Sequence, residues 1–152
     1  MSQTALAPQG NKRPYVLRKG IATAGDLDTK PVVLTSATVT LDRETYAGRT
    51  IVLNRAAGIT VTLPAASGTG DVYTFVVQAT FTGAAAIKVA NATDVMTGTA
   101  ILFADAGDTV VGFATAASSD TVDLYEASNT TGGILGARVD LIDIASGLWS
   151  VR

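Results

Sequence analysis

The chain has 152 residues, 47% of them hydrophobic, and a formal net charge of −2. This composition predicts one domain with a core and excludes an intrinsically disordered chain, which combines low hydrophobicity with high net charge. Cysteine and histidine are absent, which excludes disulfides, zinc–thiolate sites and histidine-based acid–base catalysis. We therefore predict a protein that is not an enzyme and that has no catalytic residues, no cofactor and no metal site.

The charge is unevenly distributed. Residues 1–30 carry five basic and two acidic residues, a balance of +3, whereas the rest of the chain carries six basic and eleven acidic residues, a balance of −5. An acidic body argues against a nucleic-acid-binding domain, which usually has a basic face. The sequence shows neither a signal peptide nor an apolar run of ~18 residues, so we predict a cytoplasmically made protein without a membrane partner.

Residues 1–30 predict an extended N-terminal arm. Four basic residues surround its short apolar stretch "YVL". Such an arm can order along a neighbouring protein, and a solvated terminus without a partner is the alternative. Contact with phosphate is less favoured because so few charges bind weakly at physiological salt. The predicted contact residues are Lys12, Arg13, Tyr15, Val16, Leu17, Arg18 and Lys19.

From residue 31 onward apolar residues recur with a period of two, which is typical of half-buried strands. The predicted strands are "ATVTLD" (37–42), "RTIVLN" (49–54), "GITVTL" (58–63), "DVYTFVVQAT" (71–80), "AIKVA" (86–90), "TAILFAD" (99–105), "TVVGFAT" (109–115), "DTVDLYE" (120–126), "ARVDLIDIA" (137–145) and "GLWSVR" (147–152). Glycine, serine, asparagine and aspartate separate them. The pattern predicts an all-β fold in which residues 31–152 form a single antiparallel β-sandwich, jelly-roll-like or barrel domain.

Several segments carry more specific predictions. The connection "RAAG" (55–58) has the length of a hairpin loop, and residues 58–77 form a hairpin-like unit with Tyr73, Phe75 and Val77 on its inward face. The segment "ARVDLIDIA" fits neither the helical nor the strand period cleanly, which favours a strand with a bulge. Because the related segments recur at no regular spacing, we do not predict a solenoid.

The sequence contains only weak matches to motifs that bind metal ions or phosphate. The segments "DLD" (26–28), "DAGD" (105–108) and "DLID" (140–143) could offer oxygen ligands to calcium, but turn-forming aspartates are the favoured interpretation. The segment "ASGTGD" (66–71) lacks the lysine and the following helix of a phosphate-binding loop. Most aromatic residues lie at inward positions and predict core packing, whereas Tyr15 and Tyr46 lie in polar surroundings and are expected to be exposed.

Most of the chain, residues 38–152, resembles a known family. The resemblance rests on "LDRETYAGRTIVLNRAAGITVTLPAASGTGDVYTFVV", "IKVANATDVMTGTAILFAD" and "DTVDLYEASNTTGGILGARVDLIDIASGLWSV". These segments resemble the decoration, or cement, proteins that tailed bacteriophages encode near their capsid genes. The resemblance does not include the arm, and it implies no catalytic residues.

The resemblance implies a structural protein on the outer capsid surface of the virion, made in the host cytoplasm. Its partner would be the major capsid protein, whose neighbouring subunits it would clamp to stabilise the expanded shell. We expect a closed homo-oligomer, a trimer with a dimer as the alternative. The alternative function is a receptor- or glycan-binding module of a phage head or tail fibre, which would require exposed aromatic rings.

Overall fold

The computed structural model describes residues 30–104, 109–126, 129–130 and 132–152, and its regular structure there is almost entirely β-strand. In chain order the elements are β1 (Val32–Leu34), β2 (Thr38–Thr40), α1 (Arg43–Tyr46), β3 (Thr50–Leu53), β4 (Thr60–Thr62), β5 (Val72–Val77), β6 (Ala85–Lys88), β7 (Val95–Ala104), β8 (Thr109–Ala114), β9 (Thr121–Glu126), β10 (Asn129–Thr130), β11 (Arg138–Ala145) and β12 (Leu148–Val151). The prediction of an all-β fold is confirmed. The many valines and threonines favour this outcome because β-branched side chains pack well on pleated strands.

The strands form two sheets. Sheet A has the order β1-β3-β5-β11-β12-β7-β8, and sheet B has the order β10-β9-β6-β4-β2. From β1 to β6 the chain alternates between the sheets, and the neighbours β1–β3, β3–β5, β2–β4 and β4–β6 are all parallel. Parallel neighbours need a crossover connection, and here that connection passes through the other sheet. We call each strand pair β1–β2, β3–β4 and β5–β6 a coil and number the coils 1 to 3.

This topology overturns some of the finer predictions. The expected hairpin at 55–58 and the hairpin-like unit at 58–77 are wrong, because both segments cross from one sheet to the other. The sheets are mixed and not purely antiparallel. The stacked coils form a structural repeat that has no fixed period in the sequence. Val33, Val52 and Val76 occupy one register position on successive coils but are separated by 19 and then 24 residues. This unequal spacing hides the repeat.

Antiparallel strands cover one end of the coil stack. β11 pairs with β5 in sheet A, and β9 pairs with β6 in sheet B. The register between β11 and β12 shifts between Asp143 and Ala145, which confirms the bulge predicted in "ARVDLIDIA". The mixed pattern of apolar residues has another cause: Val139 and Leu141 point inward while Ile142 and Ile144 point outward, so β11 carries apolar side chains on both faces.

Both sheets contribute to one hydrophobic core. The side chains of Ile51, Val61 and Ile87 are completely buried, and those of Tyr73 and Trp149 pack edge-to-face with ring centroids 5.6 Å apart. The predicted inward face of β5 is confirmed, because its alternate residues Tyr73, Phe75 and Val77 are at most 3% exposed. Within the described ranges, no helix has the length and apolar character needed to cross a bilayer.

The one-turn helix α1 lies in the connection between coils 1 and 2. Asp42 caps its N-terminus with extended backbone (φ −109°, ψ 152°), and its carboxylate accepts the Thr45 N–H at 2.7 Å. A side-chain acceptor at this position satisfies a backbone donor that the helix itself leaves without a partner. The cap therefore orients Arg43, which follows directly and lines the cleft described below.

Replacing Asp42 with alanine is expected to lower the free energy of unfolding by about 1 kcal/mol, the usual cost of losing an N-cap. Asp42→Asn keeps the acceptor and serves as the matched control, with an expected loss of less than about half that amount. Urea unfolding followed by circular dichroism measures both variants. Equal losses in the two variants would show that the carboxylate does not act as a cap.

Candidate interaction surface

The predicted contact residues of the arm, Lys12, Arg13, Tyr15, Val16, Leu17, Arg18 and Lys19, lie outside the described residues. The acidic segments 26–28 and 105–108 also lie outside them. Within the described part of the chain, the residues that could contact a partner must be identified from the outward faces of the two sheets.

The outward face of sheet A carries apolar side chains along β1, β3, β5 and β11. In-register pairing places Val33, Val52 and Val76 in one row across three strands, and it places Val72 beside Ile142. All five alternate along their strands with core residues and therefore point away from the core. Val33 is 51% exposed, and Val72 and Ile142 are also exposed. We call these five residues, together with the 47%-exposed Ile144, the apolar face.

A polar row separates the two apolar parts of this face. Thr50, Thr74 and Asp140 are paired across β3, β5 and β11. The Asp140 carboxylate accepts the Thr74 hydroxyl at 2.8 Å and forms an ion pair with Arg138 at 3.0 Å. Burial alone would raise the pKa of Asp140, but hydrogen bonds from Arg138 and Thr74 outweigh it and lower the pKa. Thr74 and Asp140 therefore already have partners within the protein, so covering this row would not leave either side chain without a hydrogen bond.

The outward face of sheet B has the opposite character. Its paired positions carry threonine on β2 and β4. One row continues from Thr62 into Lys88 on β6, and the other continues from Thr60 through Ala86 into Asp123 on β9. The four threonines are Thr38, Thr40, Thr60 and Thr62. Hydroxyl groups and charges remain well hydrated at a surface. The domain therefore has one apolar and one hydroxylated face on opposite sides of a shared core.

The loop 66–70 is held at the edge of the apolar face by Asp143. The buried carboxylate accepts backbone N–H groups from Ser67, Gly68 and Thr69 at 2.7–3.2 Å, and it also accepts both hydroxyls of that segment. Burial raises the pKa of Asp143, but the three backbone hydrogen bonds and the Thr69 hydroxyl outweigh it and lower the pKa. Asp143 belongs to the segment "DLID", for which a turn or a calcium site was the expectation, whereas both of its carboxylate oxygens accept hydrogen bonds from protein donors.

A second buried carboxylate fixes the start of the same loop. Asp94 is 4% exposed and accepts the Ala66 N–H at 2.9 Å. Its own backbone N–H donates to the Asn91 side chain at 3.0 Å, so the segment that carries it is also held. Residues 66–70 are thereby fixed from two sides, which makes this glycine-containing loop a rigid edge and not a ligand-closing flap.

A cleft of about 400 Å³ opens beside Val72, between α1 and the end of the loop 66–70. Arg43 and Asp71 form an ion pair across it, and the Thr69 hydroxyl, whose single proton is donated to either Asp71 or Asp143, lies 2.8 Å from the Asp71 carboxylate. Burial, followed by the negative charge of Asp71, raises the pKa of Tyr73 beneath it to about 12. Asp71 is engaged by two partners and the tyrosine stays protonated, so this arrangement is suited to holding structure and not to proton transfer.

The residues whose side chains the structure describes assemble neither a metal centre nor a platform of exposed rings. No group of three potential ligand side chains is found among them in an arrangement that could hold a metal ion. The rings of Tyr73, Phe75, Phe81 and Trp149 are buried. Tyr46, expected to be exposed, is partly buried against the core, as is Tyr125. Sugar binding by stacking on exposed rings therefore has no support in this part of the chain.

Comparison with known proteins found no counterpart: no protein-family model, no curated protein and no solved structure matches the chain. Function must therefore be inferred from the two contrasting faces and from the resemblance of residues 38–152 to the phage decoration proteins.

Sequence reasoning missed the apolar face, although a signal for it exists. The strands "VYTFVV" and "RVDLIDIA" carry apolar residues at both alternating positions, not at one only. In a strand with one face in water, the second set of apolar residues predicts a second contact. In β11 this irregularity was interpreted only as a sign of a bulge, although outward apolar side chains also indicate a contact that covers them.

Proposed function

We propose that the chain is a decoration protein that binds the outer surface of a tailed-phage capsid and clamps neighbouring major capsid subunits, stabilising the expanded shell. The observation that carries the proposal is the contrast between the apolar face of sheet A and the threonine-covered face of sheet B. A protein that coats a shell needs one face that binds protein and one that stays hydrated. The choice of a phage shell as the partner depends on the resemblance of residues 38–152 to the decoration proteins of tailed bacteriophages.

The proposed orientation places sheet A against the shell. Val33, Val72, Ile142 and Ile144 are 37–51% exposed, and burying what remains exposed contributes about 1 kcal/mol for each side chain. One such contact is weak, but a closed oligomer that engages several equivalent subunits gains by avidity. We propose a homotrimer, with a dimer as the alternative, in which two packed sheets form a β-sandwich scaffold.

Binding stabilises the shell only if the protein prefers the assembled, expanded state. A rigid scaffold favours such a preference because it can match only one spacing of capsid subunits. The two buried carboxylates that hold residues 66–70 supply this rigidity next to the apolar face. The arm residues Lys12, Arg13, Tyr15, Val16, Leu17, Arg18 and Lys19 are proposed as additional capsid contacts.

The proposal is tested by co-sedimentation of the purified chain with undecorated expanded shells of the phage that encodes it. We expect saturable binding at a constant number of copies per capsid subunit and weaker binding to unexpanded shells. Absence of saturable binding at micromolar concentration would overturn the proposal. A glycan array then tests the fibre alternative.

The contribution of the arm is tested in the same assay. Replacing Lys12, Arg13, Arg18 and Lys19 together with serine removes four positive charges. If these side chains contact acidic groups on the shell, affinity falls at least about tenfold at 50 mM salt, and the difference narrows at 300 mM salt because the interaction is screened. Unchanged affinity at low salt would exclude the basic side chains as contacts and leave the apolar face as the main surface.

A further inference from the structure

The cleft beside Val72 adjoins the apolar face. Val72 lines the cleft and is also one of the outward residues of that face, where it pairs with Ile142. The Gly48 N–H donates to the Val72 carbonyl at 2.7 Å, so the corner that follows α1 is fixed against the start of β5. A protein surface that covers the apolar face at Val72 therefore also contacts the rim of the cleft.

Small residues leave the cleft open. Ala47, Gly48 and Gly70 line it together with Val72, and a Cβ atom added at Gly48 or Gly70 would meet no atom within 4 Å. Its volume of about 400 Å³ lies within the range of about 300–1,000 Å³ that is typical of pockets for small molecules. The cleft therefore has room for one long side chain from a bound partner.

The side chains that line the cleft leave one negative charge uncompensated. Arg43 and Asp71 form an ion pair, to which the Arg43 Nη2 also contributes a hydrogen bond at 3.3 Å. Glu44 follows Arg43 on α1 and is exposed. Among the described residues, no side chain forms a hydrogen bond or an ion pair with the Glu44 carboxylate. The Glu44 carboxylate is therefore available to a cation that enters the cleft.

The electrostatic environment beneath the cleft is also negative. Burial, followed by nearby charges, raises the pKa of Tyr73 to about 12. The charge of Arg43 lowers this pKa, but the charges of three carboxylates raise it, those of Asp71, Asp143 and Asp42. A negative potential attracts a cationic side chain during association and disfavours a carboxylate at the same place. The partner that fits the cleft therefore presents a basic group.

We propose that this cleft receives a lysine or arginine side chain of the bound capsid subunit. The cationic head of that side chain pairs with Glu44, and its aliphatic stem lies against Val72 and Ala47, as long basic side chains commonly do on apolar surface. The apolar face then supplies contact area, while the cleft fixes the position of the partner and rejects partners that present an acidic group there. This inference rests on the proposed function and names the chemistry that the capsid subunit must present.

The charge of the cleft is tested by co-sedimentation of Glu44→Gln with expanded shells. We expect the affinity of this variant to fall at least about fivefold at 50 mM salt and the difference to narrow at 300 mM salt, because salt screens the interaction. The matched control is Asp123→Asn, which removes one negative charge from the outward face of sheet B and is expected to bind like the wild type. Wild-type affinity of Glu44→Gln, or an equal loss in Asp123→Asn, would overturn the inference.

The space of the cleft is tested separately with Gly70→Asn, which adds an uncharged side chain to the lining. Asparagine tolerates the positive φ of this position, +74°. We expect affinity to fall at least about fivefold at both salt concentrations, because the added side chain clashes with the one that enters the cleft. Circular dichroism first shows that each variant is folded. Wild-type affinity of Gly70→Asn would overturn the inference, while saturable binding of the wild type would leave the proposed function standing. Absence of wild-type binding would overturn both.

Discussion

Replacing Asp143 with alanine is expected to lower the free energy of unfolding by about 3–5 kcal/mol. The substitution leaves the backbone N–H groups of Ser67, Gly68 and Thr69 without the carboxylate that accepts them. A buried donor without a partner costs about 1–3 kcal/mol, and here part of the cost is recovered when the loop admits water. Urea unfolding followed by tryptophan fluorescence measures the loss, since Trp149 is the only tryptophan.

The exposed carboxylate Glu44 provides the control for this substitution. Glu44→Gln is expected to change the free energy of unfolding by less than about 0.5 kcal/mol. An Asp143→Ala variant as stable as the wild type would mean that the loop 66–70 does not depend on this carboxylate, and the rigid edge beside the apolar face would lose its explanation.

The lowered pKa of Asp143 also predicts how the free energy of unfolding depends on pH. Its pKa is lower in the folded protein than the ordinary value of 3.8, so folding favours the charged form. The resulting stabilisation is complete above the unfolded-state pKa, which lies close to that ordinary value, and is lost as the pH falls through the lower folded-state pKa. We expect the wild type to lose stability below about pH 4 and Asp143→Asn to lose less over the same range. Asp140, whose pKa is also lowered, contributes with the same sign in both proteins.

Replacing Gly58 with alanine is expected to lower the free energy of unfolding by about 3 kcal/mol or more. Gly58 has φ +98°, and an added Cβ would overlap the Ala84 carbonyl oxygen and lie 2.9 Å from its carbonyl carbon. The corners of coils 2 and 3 meet here backbone to backbone, and the Thr82 N–H donates to the Ala56 carbonyl at 2.7 Å. Because the obstructing atoms belong to the main chain, the two corners must separate.

Gly48 provides the control that distinguishes the cost of this steric contact from the cost of a positive φ alone. It also has a positive φ, +75°, but an added Cβ there would meet no atom within 4 Å. Gly48→Ala is therefore expected to cost about 1 kcal/mol from its backbone conformation alone. If the two variants lost the same stability by chemical denaturation, the close approach of the coil corners would be contradicted.

The alternation of apolar residues predicted which side chains enter the core but not which strands are neighbours. Tyr73, Phe75 and Val77 point inward as expected. The predicted hairpins failed because a short loop such as 55–58 can either reverse the chain within one sheet or carry it to the other sheet. Alternation is identical in both cases, so local sequence does not decide between them.

The candidate site was less predictable than the fold. The role of Asp143 depends on a loop 74–76 residues away in the sequence, and no local motif identifies such a partner. The apolar face likewise emerges only when register places Val33, Val52 and Val76 side by side. Its one local signal was the presence of apolar residues on both faces of β5 and β11.

The central claim is that the apolar face of sheet A is the surface that binds the shell. The most direct test compares the affinities of Ile142→Asp and Thr60→Asp for expanded shells, after circular dichroism has shown that both variants are folded. The same charge is thereby introduced on the outward faces of sheet A and sheet B. We predict that Ile142→Asp weakens binding at least about tenfold, equivalent to about 1.4 kcal/mol, while Thr60→Asp binds like the wild type. Wild-type affinity of Ile142→Asp, or a loss confined to Thr60→Asp, would contradict the claim.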